Sequence, residues 1–106
     1  MWMRSGNASY ADRISDAEYK IKIDAYPNPF YSTAIIEFQN GKSDSHVVIE
    51  LFSTTESKVS TLFDSDVKSG GLYKVEVEAG GLQKGIYIYR ITSGDQVINR
   101  KLILVK

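Results

Sequence analysis

One histidine, His46, stands in a chain of 106 residues with 13 acidic side chains, 13 basic ones and no cysteine. Those are thin materials for catalysis. A serine triad would have to be built on that histidine, yet the chain holds no Gly-x-Ser-x-Gly elbow to present a nucleophile. His46 opens an apolar run, where an ordinary residue at a strand end is expected. Glu76 and Glu78 lie two apart, the spacing that puts paired carboxylates on one face of a strand for acid/base or metal chemistry. Lys74 shares that face, so a solvated charge row is the stronger reading. Asp64-Ser65-Asp66 offers two carboxylates to calcium, which asks for several oxygens, and no third carboxylate lies near; a plain turn is expected. Gly70-Gly71 and Gly80-Gly81 are isolated doublets, neither followed by a helix that could aim amides at a phosphate. Both read as hinges between strands. No cofactor or metal is expected, and an acid, a base and a nucleophile cannot be assembled into an enzyme from these residue types.

The overall balance excludes further classes. A formal charge of zero at pH 7 lacks the electrostatic footprint of a nucleic-acid binder or a polybasic membrane docker, so nucleic acid is not an expected partner. Missing cysteines remove disulfides, thiolate nucleophiles and cysteine-ligated zinc or iron–sulfur sites, without deciding the compartment. An apolar share of 42% supports a folded globule, and 7 tyrosines against 4 phenylalanines tilt its aromatics toward the amphipathic kind. The length suits about one domain, either a helical bundle or a β-sandwich. No run approaches the roughly 18 apolar residues of a transmembrane segment, and residues 1–6 have no secretory h-region. If the parent protein is exported, this chain is a fragment of it.

Hydropathy patterning decides between the two architectures. Residues 1–19 are mostly small, polar or charged and read as a linker or lead-in, with a short helix over 10–18 as an option because Tyr10, Ile14 and Ala17 would share a face. From residue 20 the period is two. Ile21, Ile23 and Ala25 share one face, as do Ala34, Ile36 and Phe38, and later Tyr73, Val75, Val77 and Ala79 opposite Lys74, Glu76 and Glu78. Residues 46–53 form a denser apolar run suited to a strand covered on both faces. Residues 58–63 read as a shorter strand. The last two strands, 85–92 and 96–105, are joined by Ser93-Gly94-Asp95, which suits a tight antiparallel hairpin. Breaks are expected at 40–45, 54–57, 64–71 and 80–84, each carrying turn-forming residues. About seven short strands with turns at roughly ten-residue spacing describe an all-β, immunoglobulin-like antiparallel β-sandwich over 20–106. Trp2 lies outside the strands and cannot take a core role.

Tyr26-Pro27-Asn28-Pro29-Phe30 is the most informative segment. Two prolines fix their own torsions, hold Tyr26 and Asn28 extended and remove two donors, so the strand begun at residue 20 must stop there. A stiff crossing follows, with Tyr26, Phe30 and Tyr31 expected to plug one end of the sandwich.

From this segment onward the sequence resembles a known family. Tyr-Pro-Asn-Pro-Phe, then Ser32-Thr33 with an Ile-x-Phe strand, a Val-x-Ile-x-Leu-Phe strand, Gly-x-Tyr-x-x-x-Ile at 85–91, and Arg100-Lys101-Leu102-Ile103-Leu104-Val105-Lys106 are similar in order and spacing to the C-terminal sorting domain of type IX secretion cargo proteins. The resemblance spans about residues 21–106. It implies an address and not an activity: a non-catalytic signal that directs a larger cargo through an outer-membrane translocon to the cell surface of a Gram-negative bacterium. Implied partners are that translocon, a surface sortase that removes the domain, and an N-terminal cargo domain of the parent protein. Cleavage would fall in or before the lead-in. Carried over by position, the recognition residues are Pro27, Asn28 and Pro29, then Gly85 and Tyr87, then Lys101, Leu102, Ile103, Leu104, Val105 and Lys106. One departure stands out. Family members usually carry an Asp-x-x-Gly-like turn before the fourth strand, where this chain has Thr54-Thr55-Glu56-Ser57-Lys58.

The residues themselves leave alternatives. The terminal stretch can be a sheet edge offered to a receptor, or a paired core strand with solvating lysines. In 85–92, Tyr87, Tyr89 and Ile91 share one face and Ile86, Ile88 and Arg90 the other, which predicts a central strand with Arg90 near a rim. Gly85 would serve a close approach or a positive torsion at its entry. The tyrosines also admit a carbohydrate-binding or adhesive module, in which exposed rings of Tyr73, Tyr87 and Tyr89 would stack on sugars; a plain spacer is a third option.

Overall fold

Seven period-two segments become seven strands, because each can bury one face only by sharing an interior with the others. The computed structural model describes residues 21–106. Its elements are β1 (Lys22–Tyr26), β2 (Thr33–Gln39), β3 (Ser45–Ser53), β4 (Lys58–Val67), β5 (Leu72–Glu78), β6 (Gly85–Ser93) and β7 (Gln96–Leu104). One sheet has the order β1-β2-β5 and the other β4-β3-β6-β7, with every neighbouring pair antiparallel. The expected immunoglobulin-like β-sandwich is what forms. Residues 1–19, Trp2 and the optional helix over 10–18 lie outside the described residues.

The core is the sum of the inward faces. Ala34, Ile36 and Phe38 of β2 are completely buried against a second wall of Val47, Ile49 and Leu51 from β3, Tyr89 and Ile91 from β6, and Leu102 and Leu104 from β7. Phe38 stacks on Tyr73 at 5.2 Å and takes the edge of Phe63 at 5.4 Å, which ties β2 and β5 to β4 of the opposite sheet. At the tight hairpin Ser93 pairs with Gln96, and Gly94 adopts a φ of 59° while Asp95 does not share that sign. Glycine at the first central position is the pattern of a II′ turn.

Three expectations change. The break placed at 64–71 begins only after Val67, so β4 is a full-length strand and Asp64-Ser65-Asp66 is no turn. Its aspartates alternate onto one face opposite Val48 and His46, and both carboxylates hydrogen-bond the His46 ring. Second, β3 is central but covered on one face only; Val48 and Phe52 are half-buried on the outer side. Third, of the three aromatics expected to plug the sandwich end, Phe30 alone does so, at 0% exposure, while Tyr31 is 73% exposed. Tyr26 turns outward and donates to the Glu37 carboxylate at 2.5 Å.

The turn without glycine closes with a side-chain-bearing residue in the left-handed region. Glu56 sits at φ 67°, and its amide donates to the Ser53 carbonyl at 3.0 Å. Left-handed torsions cost an L-residue about 1–2 kcal/mol, partly offset by the entropy glycine loses on folding. Glu56→Gly is therefore expected to stabilise the fold by roughly 0.5–1 kcal/mol, visible as a melting temperature raised by a few degrees.

Candidate functional site

Asn28 turns a proline-stiffened corner into a clasp on the far sheet. The loop between β1 and β2 leaves its own sheet and reaches the outer edge of β7, where the Asn28 Nδ2 donates to the Lys101 carbonyl at 2.8 Å and its Oδ1 accepts from the Ile103 amide at 2.9 Å. One side chain thereby behaves as one residue of an added strand. The main chain continues the pairing: the Phe30 amide donates to the Ile103 carbonyl at 2.8 Å, and the Val105 amide donates to the Phe30 carbonyl at 2.8 Å. Phe30 and Leu104 form a parallel bridge. Pro27 and Pro29, which flank Asn28, both follow cis peptide bonds.

Two motifs far apart in sequence thus share one sheet edge. β7 is an edge strand in the sheet order and a core strand at its end, because Leu102 and Leu104 are buried to 0% and 1% while Lys101 and Lys106 are exposed. Ile103 and Val105 are half-buried. The terminal stretch is at once a sheet edge and a paired core strand, with exposed and buried residues alternating along it. Gly85 and Tyr87 adjoin the same end: Gly85 pairs with Leu104 and Tyr87 with Leu102. Gly85 has φ 146° and a Cβ there would touch nothing within 4 Å, so positive torsion and not close approach explains it. Tyr87 is buried and its hydroxyl donates to the Gln83 carbonyl at 2.5 Å, which fixes the loop leading into β6.

A family model described as "Secretion system C-terminal sorting domain" matches residues 24–106. The chain belongs to that family. No curated protein matches this sorting domain in sequence. Among solved structures it is similar to dimeric latent PorU from Porphyromonas gingivalis, with a TM-score of 0.58 at 20% identity. That likeness covers 80% of this 106-residue chain and 9% of the PorU chain, and it is a likeness of fold.

His46 and Arg90 of the sorting domain are held by side chains on neighbouring strands. His46 lies at the start of β3 with Nδ1 2.7 Å from Asp66 and Nε2 2.5 Å from Asp64. Sequence reasoning missed this pairing because it placed the aspartates in a turn. Among the described residues, no three histidine, cysteine or acidic side chains are arranged to hold a metal ion. The hydrogen bonds accepted by the carboxylates of Asp66 and then Asp64 raise the His46 pKa above its ordinary value of 6.5. Because the folded chain holds this proton more tightly than the unfolded one, the stabilisation is complete below the ordinary histidine pKa and disappears as pH rises through the folded-state value. An NMR titration of His46 is expected to show that elevated midpoint, and Asp66→Asn to lower it.

Arg90 is not at a rim. It lies mid-face on the outside of the sheet, with its guanidinium 4.5 Å over the Phe52 ring and Nε donating to Asn99 at 2.9 Å. The tyrosines needed for sugar stacking are withdrawn from the surface: Tyr87 and Tyr89 are buried and Tyr73 packs on Phe38. Burial also raises the pKa of Tyr89, as expected of a phenol deprived of water.

Proposed function

We propose that this sorting domain is the non-catalytic secretion signal of a larger protein, read by a type IX outer-membrane translocon that carries the cargo to the cell surface of a Gram-negative bacterium. The observation that carries the proposal is the Asn28 clasp. It assembles the Pro27-Asn28-Pro29 corner and the Lys101 to Lys106 stretch into one element, although its two hydrogen-bonded ends are 73 and 75 residues apart. A receptor reading these motifs would read a folded surface and not a flexible tail. In this account residues 20–106 are the module that is read, and residues 1–19 join it to the N-terminal cargo domain and offer the stretch that a surface sortase cuts.

The test uses all 106 residues fused behind a fluorescent cargo that is first sent to the periplasm of a bacterium with this machinery. Surface fluorescence should require both the sorting domain and the translocon. Cargo left in the periplasm in the competent strain would overturn the proposal.

A further inference from the structure

Beside the clasp, the outer face of the four-stranded sheet carries a shallow depression that the fold leaves uncovered. Ile86 pairs with Ile103 across the β6–β7 ladder, so the two side chains stand together on this face, with Val105 beside them. Ile86 is 44% exposed, a large aliphatic group facing water in a strand whose other face is core. Gly85 adds no side chain to the depression, and Lys84 and Lys106 stand at its border. None of its lining residues is acidic. Next along the same face lie Ile88 and Lys101, which pair with each other, and Phe52 opposite Lys58. Acidic groups gather at the other end of the face, where Asp64 and Asp66 lie across from Val48 and His46. The outer face is therefore apolar with Lys84, Lys101 and Lys106 at the clasped end and carries Asp64 and Asp66 at the hairpin end, and between them Lys58 is ion-paired with Glu50 at 3.2 Å.

We propose that the depression around Ile86 and Ile103 is a docking surface for a component of the export machinery whose contact patch has an apolar centre and an acidic rim. Lys84 and Ile86 are specificity-determining residues of that contact, although no sorting motif contains Lys84 and the Gly-x-Tyr motif leaves Ile86 unspecified. The inference rests on the sorting reading. It follows from charge complementarity: Lys84 and Lys106 form no ion pair among the described residues, Lys106 donating only to the Gly80 carbonyl at 2.9 Å, and such lysines around an exposed aliphatic centre favour a partner that supplies carboxylates at the rim and buries the centre. Tyr87, Tyr89, Ile91, Leu102 and Leu104 cannot take part, since they are committed to the core.

The experiment places Lys84→Glu and Ile86→Asp, singly and together, in the cargo fusion, with Asp64→Ala at the opposite end of the face as the control. Circular dichroism and thermal melting of each purified fusion establish that the variants fold. The double variant is expected to lower surface fluorescence roughly tenfold or more, and the control to leave it within about twofold. Normal export of folded Lys84→Glu/Ile86→Asp overturns the docking surface, and the sorting reading survives if the unmodified fusion is still exported only by the competent strain. If the unmodified fusion is not exported, it is the sorting reading that fails. Sedimentation of the unmodified fusion separates the remaining occupant: a dimer dispersed by Ile86→Asp would show that a second copy covers this face, which also overturns the proposal.

Discussion

Leu102→Ala is expected to lower the unfolding free energy by about 2–5 kcal/mol, whereas Lys101→Ala, one residue away, should change it by no more than about 0.5 kcal/mol. Leu102 is 0% exposed, pairs with Tyr87 and stands in the wall that faces β2. Removing its side chain leaves a cavity whose lining cannot collapse, since the strands on both sides are held by ladder hydrogen bonds. Against a total stability of roughly 5–15 kcal/mol for a domain of this size, one such loss threatens the fold. Guanidinium denaturation of the two variants measures the difference directly. There is a practical corollary for any dissection of the signal. Deleting residues 101–106 would strip Leu102 and Leu104 from the core, so failed export after that deletion would report unfolding as readily as a lost signal.

Asn28→Ala should cost about 1–3 kcal/mol, more than its exposed position suggests, because the amide satisfies a donor and an acceptor of β7 at once. Water can replace the two bonds but cannot hold the corner against the strand. Asn28→Asp separates the two halves of the clasp. A carboxylate still accepts from the Ile103 amide, but its second oxygen then faces the Lys101 carbonyl, a repulsive pair of acceptors. Amide exchange at Ile103 should therefore accelerate strongly in Asn28→Ala and less in Asn28→Asp, while denaturation shows both variants destabilised. Equal protection of Ile103 in all three proteins would remove the clasp from the account. Loss of the clasp also uncovers the end of an edge strand, the kind of edge that pairs with other chains.

The strands were legible because alternation survives wherever one face meets a core and the other meets water. β2 and β5 show this most plainly, with Ala34, Ile36 and Phe38 inside and Lys74, Glu76 and Glu78 outside. β4 was harder, since an edge strand buries little: only Val67 along it is fully withdrawn from water, and its aspartates resemble turn residues until a partner strand brings His46 opposite. The candidate site was legible as motifs and illegible as a site. Nothing in Tyr-Pro-Asn-Pro-Phe announces that its asparagine imitates a strand backbone, because that role depends on a partner more than 70 residues away. Asn40 is similar. It reads as part of a turn, yet it is buried, with Nδ2 donating to the carbonyls of Ser43 and Lys68, both at 3.0 Å. In both cases an asparagine amide, donor and acceptor in one group, meets backbone that the sheets leave unpaired. The split of the terminal motif into core residues and surface residues follows from strand alternation once β7 is known to be an edge.

In the proposed reading the secretion signal is a folded surface in which Lys101, Ile103 and Lys106 face the receptor while the buried Leu102 and Leu104 hold the strand in place. The most direct measurement is surface fluorescence of the cargo fusion carrying Lys101→Ala, Ile103→Ala and Lys106→Ala together, with circular dichroism and a cooperative melt showing that the sandwich persists. The expected result is a folded domain whose cargo stays in the periplasm. Normal surface display by that folded triple variant would contradict it.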